Sequence, residues 1–391
     1  MHTADQSTIR KHNQKIILEE IIANSPISRA KLSKITHLNK ATISSQISLL
    51  SDKKIIFEIG PGQSSGGRKP VLLVFNKIAG FVIGVDLGIN YILTLLTDLE
   101  GNIVFQDFHE ITDPDFKHIQ PILVERIQFV SKQASESPYG IIGIGVGIHG
   151  FVNQDQLVVF TPNSKWSNVD LKGFLKNYFD CPIFIENEAN AGAYGEKLFG
   201  ALKKYKDSIY ISVGIGIGIG ILINNDLYRG MEGFSGEMGH MTIDLNGKKC
   251  RCGNRGCWEL YASEEAFLSE LSKLKQVNRL HVEEAIKLIE SNDIETLHLF
   301  QKFSYYLGVG ITNIINTFNP EAVVLKGNLI NIYPLVINTI RSFVTSRTYT
   351  HTNNQCVITV SELNRQATAL GAASFIIKDF LARIDSLESS S

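Results

Sequence analysis

Residues 210–223 read YISVGIGIGIGILI, a stretch in which glycine alternates with isoleucine. Isoleucine and valine favour extended strands, and glycine lets the backbone turn sharply or approach a ligand or a second backbone closely. A membrane-spanning helix needs about 20 consecutive apolar residues, so this run is too short to cross a bilayer. The pattern instead predicts a strand, a glycine-rich turn and a second strand inside a soluble α/β fold.

Three other segments are apolar strands with glycines near their ends. GFVIGVDLG occupies 80–88, YGIIGIGVGIHGFV occupies 139–152, and AVVLKGNLI occupies 322–330. The chain thus has two similar halves, each opening with a β-hairpin that carries glycines and an acid or amide near its turn. This repetition predicts an actin-like (ribonuclease H-like) fold, in which two α/β lobes enclose a cleft. The predicted lobes are residues about 78–190 with the C-terminal helix, and residues about 191–365.

The head, residues 1–77, differs in charge from the rest of the chain, residues 78–391, which we call the body. The head holds 12 Lys and Arg against 5 Asp and Glu, a net charge of +7, whereas the body has a net charge of −8. This asymmetry is typical of a protein whose basic part binds a polyanion. The start of the chain, MHTADQSTIRKHNQ, has no apolar leader, so we expect a cytoplasmic protein without membrane association.

The head has the apolar spacing of a winged helix-turn-helix. The segment 29–36, RAKLSKIT, predicts a short helix capped by Ser28, and 40–54, KATISSQISLLSDKK, predicts a recognition helix. The residues expected to face inward are apolar and recur at helical spacing: Ala30, Leu32, Ile35, Ile43, Ile47 and Leu50. A β-hairpin with a glycine-rich, basic tip follows at about 54–75 and is typical of a wing.

Small polar and basic side chains on the outer faces of these elements suit base edges and phosphates. The predicted DNA-contacting residues are Ser28, Arg29, Lys40, Ala41, Thr42, Ser44, Ser45, Gln46, Arg68 and Lys69. We expect a homodimer on a palindromic operator, because paired half-sites match a two-fold axis. The alternatives are a helical bundle followed by a linker and a scaffold whose head binds protein.

Three of the five cysteines fall between residues 250 and 257. In the segment GHMTIDLNGKKCRCGNRGCWE, His240 precedes Cys250, Cys252 and Cys257. Three thiolates and one imidazole form a complete tetrahedral ligand set for Zn2+, with no open position for a catalytic water. We therefore expect a structural zinc ion. The alternatives are free cysteines in a loop and a redox pair, for which C-x-C is not the usual spacing.

These segments together resemble the ROK family (repressors, open reading frames and sugar kinases). The similarity rests on GIGIGIGILINNDLYRGMEGFSGEMGH, CRCGNRGCWE and ENEANAGAYGE, and it extends over essentially the whole chain. The resemblance implies a winged-helix head on a sugar-kinase body, with a sugar bound between the lobes. The sugar ligands that it implies are Asn187, Glu188, Glu237, His240 and Glu259. Carboxylates and amides suit a ring of hydroxyls, each of which is both donor and acceptor.

Two further residues are candidates for the sugar site. Asn163 offers an amide to a hydroxyl, and Trp166 either stacks on an apolar sugar face or is buried as core. Their segment, TPNSKWSNVDL, together with IENEANAGAYGEK, most resembles the xylose-responsive repressors of Gram-positive bacteria. This resemblance implies D-xylose as the effector, with glucose as a second sugar that the same residues suit.

The resemblance also raises the question of whether Glu188 transfers a proton. ROK kinases have an aspartate base at this position and a nucleotide turn of the pattern Asp-x-Gly-Gly-Thr, where this chain has DLGIN with Ile89 and Asn90. Lys326 stands where the kinases have a glycine that admits adenosine. Because these side chains crowd the nucleotide, we expect Glu188 to accept a hydrogen bond and the protein not to be an enzyme. The alternatives are a sugar kinase with a DNA-binding head and a repressor responding to another sugar or a sugar phosphate.

Overall fold

The computed structural model describes residues 6–61, 71–332, 334–347 and 356–384. The head comprises α1 (Gln6–Asn24), β1 (Ile27–Ser28), α2 (Arg29–Thr36), α3 (Lys40–Asp52), β2 (Ile56–Pro61) and β3 (Val71–Phe75). The first half of the body comprises β4 (Phe81–Leu87), β5 (Tyr91–Thr97), β6 (Ile103–Glu110), α4 (Phe116–Ser131), β7 (Ile141–Ile148), β8 (Phe151–Val152), β9 (Val158–Phe160), β10 (Ser167–Val169), α5 (Leu171–Lys176) and β11 (Ile183–Asn187).

The remaining elements begin with α6. They are α6 (Glu188–Phe199), β12 (Ser208–Val213), β13 (Ile217–Ile223), β14 (Asp226–Leu227), α7 (Glu259–Ala262), α8 (Glu264–Leu274), α9 (Val282–Glu290), α10 (Ile294–Phe318), β15 (Ala322–Lys326), α11 (Asn328–Ile332), α12 (Pro334–Arg347), β16 (Val357–Val360) and α13 (Ala367–Ala382). Within the described ranges, no helix combines the length and apolar character that a membrane span requires.

The head folds as three helices and a small sheet in the order β1–β3–β2. α2 has the predicted bounds, and the Ser28 hydroxyl caps it by accepting a hydrogen bond from the Lys31 backbone nitrogen at 3.2 Å. Of the residues expected to face inward, Leu32, Ile43, Ile47 and Leu50 are buried. The prediction for Ala30 and Ile35 is wrong, since both are exposed. Ala30 lies two positions from buried Leu32, and residues two apart do not share a helix face.

The body contains two five-stranded sheets with one topology. Their orders are β6–β5–β4–β7–β11 and β14–β13–β12–β15–β16. In each sheet the first three strands are antiparallel neighbours, and the last two join in parallel. The central strands β4 and β12 are buried along their whole length. This repetition confirms the predicted actin-like fold class.

The C-terminal helix α13 packs on β4 and β7 of the first sheet and on α6. Glycine makes this packing possible at two strand positions. A Cβ atom at Gly84 would lie 2.1 Å from the carbonyl oxygen of Ala369, and one at Gly145 would lie 2.0 Å from that of Ala372. The strand glycines predicted to admit a ligand therefore also admit a helix backbone.

The two ends of α13 reach different parts of the molecule. Near its start, the Thr368 hydroxyl donates to the backbone oxygen of Glu188 at 3.4 Å. Its far end lies in an apolar cluster shared with α1, α3 and β3 of the head. There the Phe380 ring packs against Tyr139 with centroids 5.2 Å apart, and the Tyr139 hydroxyl donates to the backbone oxygen of Lys53 at 2.9 Å. One helix thus connects the head to the start of α6.

Candidate functional site

The four predicted metal ligands come together beside the second sheet. The ligand atoms of His240, Cys250, Cys252 and Cys257 all lie within 4.8 Å of one another. Cys250 Sγ is 3.7 Å from His240 Nδ1, and Cys252 Sγ is 3.7 Å from Cys257 Sγ. Zn–S bonds of about 2.3 Å at tetrahedral angles place two sulfurs about 3.8 Å apart. The donor set and its spacing therefore fit a structural Zn2+.

The loop that carries the cysteines also positions a carboxylate. Gly253 and Gly256 have φ angles of 97° and 68°, in the left-handed region that glycine tolerates best. These turns bring the chain back to α7, whose first residue is Glu259. Glu259 Oε1 lies 3.3 Å from His240 Nδ1. A metal bound by this loop would therefore also fix Glu259, one of the predicted sugar ligands.

The acidic side chains predicted to bind sugar face one another. Glu237 begins the 3-10 turn that ends at His240, and its Oε2 lies 3.9 Å from His240 Nε2. Its side chain is 40% exposed, but the surrounding protein still desolvates the carboxyl and, with the charges of Glu259 and Glu188, raises the pKa of Glu237 to about 7. A site in which one carboxyl is readily protonated can both accept and donate hydrogen bonds to hydroxyls.

Asn187 and Glu188 lie where β11 meets α6. Asn187 is the N-cap of α6, and its Oδ1 accepts from the backbone nitrogens of Ala189 and Asn190 at 2.9 and 3.1 Å. Its Nδ2 donates to the backbone oxygen of Gly150 at 2.9 Å. Asn187 thus fixes the strand–helix junction and so positions Glu188, and its amide oxygen is already used twice.

Glu188 is the most deeply placed of the predicted sugar ligands. Its side chain is 5% exposed, and its Oε1 is buried without a hydrogen-bond partner among the described residues. Burial raises the pKa of Glu188, but the charges of His149 and Lys326 and a hydrogen bond from Ser212 outweigh it, so the net pKa is lowered. An ionised carboxylate with one oxygen still unpartnered is suited to accept a hydrogen bond from a sugar hydroxyl.

Sequence reasoning missed two residues at the centre of this cleft, His149 and Tyr91. His149 follows β7, with Nδ1 3.6 Å from Glu188 Oε2 and Nε2 4.0 Å from Asp86 Oδ1. The Tyr91 hydroxyl donates to Asp86 Oδ2 at 2.8 Å. A signal for His149 was available, because β4, β7 and β11 are parallel and pair in register up to Leu87, Ile148 and Asn187. Side chains that follow such strands meet at one edge of the sheet.

Asp86 and Tyr91 together occupy the first glycine-rich turn. Asp86 is fully buried, and burial raises its pKa despite the opposing charges of His149 and Lys326. A Cβ atom at Gly88 would lie 2.4 Å from the Tyr91 ring, so the ring lies directly against this turn. The space that glycine leaves free here is filled by a side chain of the same hairpin.

The second glycine-rich turn, between β12 and β13, has different surroundings. A Cβ atom at Gly214 would meet nothing within 4 Å. Cβ atoms at Gly216 and Gly218 would approach Glu259 Oε2 at 2.8 Å and Glu188 Oε2 at 3.0 Å. The backbone of this turn therefore faces two carboxylates.

The two sugar-site candidates from the segment 161–171, Asn163 and Trp166, lie in different surroundings. Trp166 is 7% exposed, its Nε1 donates to the backbone oxygen of Pro114 at 2.9 Å, and its ring packs against Phe116 with centroids 4.7 Å apart. Trp166 is therefore a core residue, and the prediction that it stacks on a sugar is wrong. Asn163 Oδ1 accepts from Arg251 Nη1 at 3.0 Å, which links it to the cysteine loop.

The predicted recognition helix α3 presents most of its candidate residues outward. Lys40, Ala41, Ser44 and Ser45 are exposed, and Thr42 is half-buried. The prediction for Gln46 is wrong, because its side chain is only 4% exposed and lies on the face of α3 that carries Ile43 and Ile47.

The other predicted DNA contacts lie in α2 and the wing. Ser28 is half-buried and serves as the cap of α2. Arg29 is exposed, and its Nη2 pairs with Glu58 Oε1 of β2 at 2.5 Å. Arg68 and Lys69 lie outside the described residues. α3 therefore supplies most of the described candidate surface for DNA.

Comparisons with known proteins agree with this architecture. A sequence profile described as the ROK family matches residues 82–379. A protein named xylose repressor from Bacillus spizizenii is 53% identical over 382 residues, which cover 97% of this chain and 99% of that protein.

Solved structures show the same similarity in three dimensions. A ROK family transcriptional regulator, described as a homologue of the E. coli MLC protein, has a TM-score of 0.82 and 28% identity, covering 96% of this chain and 97% of that one. A ROK family glucokinase from Streptomyces griseus, solved with glucose and AMPPNP, has a TM-score of 0.70 and 27% identity. It covers 76% of this chain and 99% of its own.

Proposed function

The chain belongs to the ROK family, and we propose that it is a transcriptional repressor that a small sugar releases from operator DNA. The observation that carries this proposal is the extent of the similarity to a named xylose repressor, which spans 97% of the chain and so includes head and body. The glucokinase structure covers 76% of this chain but 99% of its own. A sugar kinase of this family can therefore be complete without a segment like the head of this chain.

We assign D-xylose as the effector and the cleft beside Glu188 as its site. Glu188, Glu237 and Glu259 offer carboxylate oxygens to the hydroxyls, and the lowered pKa of Glu188 keeps that acceptor ionised. The complete proposed set is Asn163, Asn187, Glu188, Glu237, His240 and Glu259. Glucose, which carries one more hydroxymethyl group, is the second sugar that this set suits.

The head is assigned to DNA, in a homodimer on a palindromic operator. The exposed residues of α3 are small or basic, which permits close approach to base edges and phosphates. Serine hydroxyls at 44 and 45 are assigned to base edges, and Lys40 to phosphate. We retain 1–77 as the DNA-binding domain and 78–391 as the sugar-binding domain.

Release of DNA requires that the sugar bind one arrangement of the lobes more tightly than the other. Glu188 begins α6 and belongs to the predicted first lobe. Glu237, His240 and Glu259 belong to the predicted second lobe, where they lie between β14 and β15 in the chain. A sugar held by both sets draws them together. A structural Zn2+ held by His240 and the cysteines would keep the second set rigid, so that closure moves it as one unit.

We propose that the protein does not transfer a phosphoryl group. Tyr91 lies against the first glycine-rich turn, and Lys326 is the last residue of β15, the strand that pairs with β12 in parallel. Carboxylates of Glu188 and Glu259 face the second turn, where they would repel a phosphate.

The deciding experiment measures binding of the full chain to a palindromic fragment from upstream of its own operon, by fluorescence anisotropy. D-xylose should weaken binding at least tenfold, while L-arabinose and D-ribose leave it unchanged. Tight DNA binding that no pentose alters would contradict the effector assignment and direct the search to hexoses and sugar phosphates. Absence of salt-dependent DNA binding would contradict the repressor itself, because phosphate contacts impose a steep salt dependence.

Two neighbouring substitutions test the DNA surface. Lys40→Ala should weaken binding to operator and random DNA alike and reduce the slope of affinity against salt. Ser45→Ala should weaken operator binding by roughly 1–3 kcal/mol and leave random DNA unaffected. Equal losses on both DNAs for Ser45→Ala would mean that Ser45 contacts the backbone.

A sugar kinase with a DNA-binding head is the second candidate. The glycines of the second turn favour it, since Gly214 has open space above it. ATP-dependent phosphorylation of any aldose, abolished in Glu188→Gln, would establish this function.

A further inference from the structure

We propose that His149 is a positioning residue of the sugar site, which favours the ionised form of Glu188 and lies beside one carboxylate oxygen, so that the other oxygen is left for a hydrogen bond from a sugar hydroxyl. This inference rests on the proposed function, because it assigns a role within the same cleft. It adds a residue that neither the sequence motifs nor the named relatives assign.

The geometry that carries the inference is an imidazole between two buried carboxylates. His149 Nδ1 lies 3.6 Å from Glu188 Oε2, and Nε2 lies 4.0 Å from Asp86 Oδ1. The Asp86 side chain has no exposed surface and that of Glu188 has 5%, while His149 is 27% exposed toward the cleft. One oxygen of each carboxylate is buried with no hydrogen-bond partner in the described part of the chain. His149 therefore lies beside both acids at once.

The charges around this cluster explain why His149 matters to Glu188. Lys326 acts on both carboxylates from β15, and the Tyr91 hydroxyl bonds Asp86 from β5. Glu237 of the second lobe and Tyr210 of β12 also act on the cluster, the first by repelling Glu188. Without a positive His149, one lysine would balance two buried carboxylates. Such an imbalance favours protonation of one of them.

Two properties of Glu188 depend on this arrangement. His149 occupies the Oε2 side, so that Oε1 is the oxygen still without a hydrogen-bond partner among the described residues. The charge of His149 also favours the ionised form of the Glu188 carboxyl. An ionised carboxylate accepts a stronger hydrogen bond than a neutral carboxyl. Sugar affinity should therefore fall when His149 is replaced by a side chain that carries no positive charge.

The test compares the full-length wild-type protein with His149→Gln and His149→Lys in D-xylose titrations by calorimetry at pH 6. His149→Gln should bind about tenfold more weakly, the effect of losing one charged partner. His149→Lys retains a positive charge and should bind more tightly than His149→Gln. His298→Gln, on the exposed face of α10, is the matched control and should not differ from wild type.

Wild-type affinity in His149→Gln would overturn the assignment. Equal affinities of His149→Gln and His149→Lys, both below wild type, would mean that the positive charge of His149 does not act on Glu188, which would overturn it as well. If the wild-type protein itself binds no aldose, the proposed effector fails, and a sugar-free measurement decides about His149.

That measurement is a double-substitution cycle on thermal unfolding at pH 6. His149→Gln should lower the midpoint by about 2–4 °C in the wild type and by clearly less in a Glu188→Gln background, because the partner charge is gone. Equal shifts in both backgrounds would mean that the two side chains do not interact, which would overturn the inference whichever ligand the cleft binds.

Discussion

The two central hairpins of the body have the same topology and differ in what lies over their turns. At the β4–β5 turn, the Tyr91 ring covers Gly88 and its hydroxyl bonds Asp86. At the β12–β13 turn, Gly214 is open and Gly216 faces the Glu259 carboxylate. The same backbone can thus be closed by a side chain in one lobe and left open toward a ligand cleft in the other. Topology alone does not decide whether such a turn can hold a phosphate.

Loss of the metal should have the largest effect on xylose affinity. It changes only the surroundings of the second hairpin, where Glu259 lies. Cys252→Ser should remove the Zn2+ that we propose this cluster binds and loosen the loop that fixes His240 and Glu259. Outer-shell support of this kind is worth about 10–100-fold, so we expect xylose affinity to fall by that factor and operator affinity to stay within about twofold. Elemental analysis, calorimetry and anisotropy measure the three quantities.

The matched control is Cys181→Ser, which removes a cysteine of the first lobe outside the cluster. It should retain zinc and the sugar response. If Cys252→Ser kept a normal sugar response after losing its metal, the loop would not couple the metal to the cleft.

A pair of glycine substitutions sharpens the comparison within the second hairpin. A Cβ atom at Gly220 would lie 2.4 Å from the backbone oxygen of Ala189, so Gly220→Ala must displace α6. We expect it to lower the free energy of unfolding by about 1–3 kcal/mol. Gly214→Ala meets open space and should change it by less than about 0.5 kcal/mol. Urea unfolding of both variants measures the difference.

Equal destabilisation by the two substitutions would mean that the hairpin glycines are required by the turn itself. The predicted difference would mean that Gly220 is required by helix packing, and that Gly214 remains as an opening toward the cleft.

The smallest expected effect is a gain of stability in the first hairpin. Burial raises the pKa of Asp86 in the folded protein above the ordinary value that it has in the unfolded chain. The folded state therefore loses stability as pH rises from the ordinary value through the raised one. Asp86→Asn has no such cost and should raise the unfolding midpoint at pH 8, with the gain disappearing near pH 4. Exposed Asp155→Asn is the control. A loss of stability at pH 8 would show that the negative charge of Asp86 is needed.

The fold was predictable because its signals are local and repeated. The glycine-punctuated strands predicted two like lobes, and Ser28 with RAKLSKIT predicted the bounds of α2. The predicted metal ligands have a spacing that few other sites share, and the structure brings them together.

The residues that were misassigned or missed lacked such a signal. Gln46 was chosen for its amide, although it stands three positions after Ile43 and four before Leu50, on the buried stripe. Trp166 had two interpretations that only packing against Phe116 could separate. His149 belongs to no motif. Its role depends on strand register, which brings together residues that are far apart in the chain.

The path of α13 also has a consequence for how the protein is made. Among the described elements α13 is the last to leave the ribosome, yet it fills the groove above Gly84 and Gly145 and completes the apolar cluster that includes the head. During synthesis the first sheet and the helices of the head must therefore wait, with apolar surface uncovered, until residue 382 has emerged. Fragments that end before α13 would lack the support of their head, so unfinished chains should be poor competitors for operator DNA.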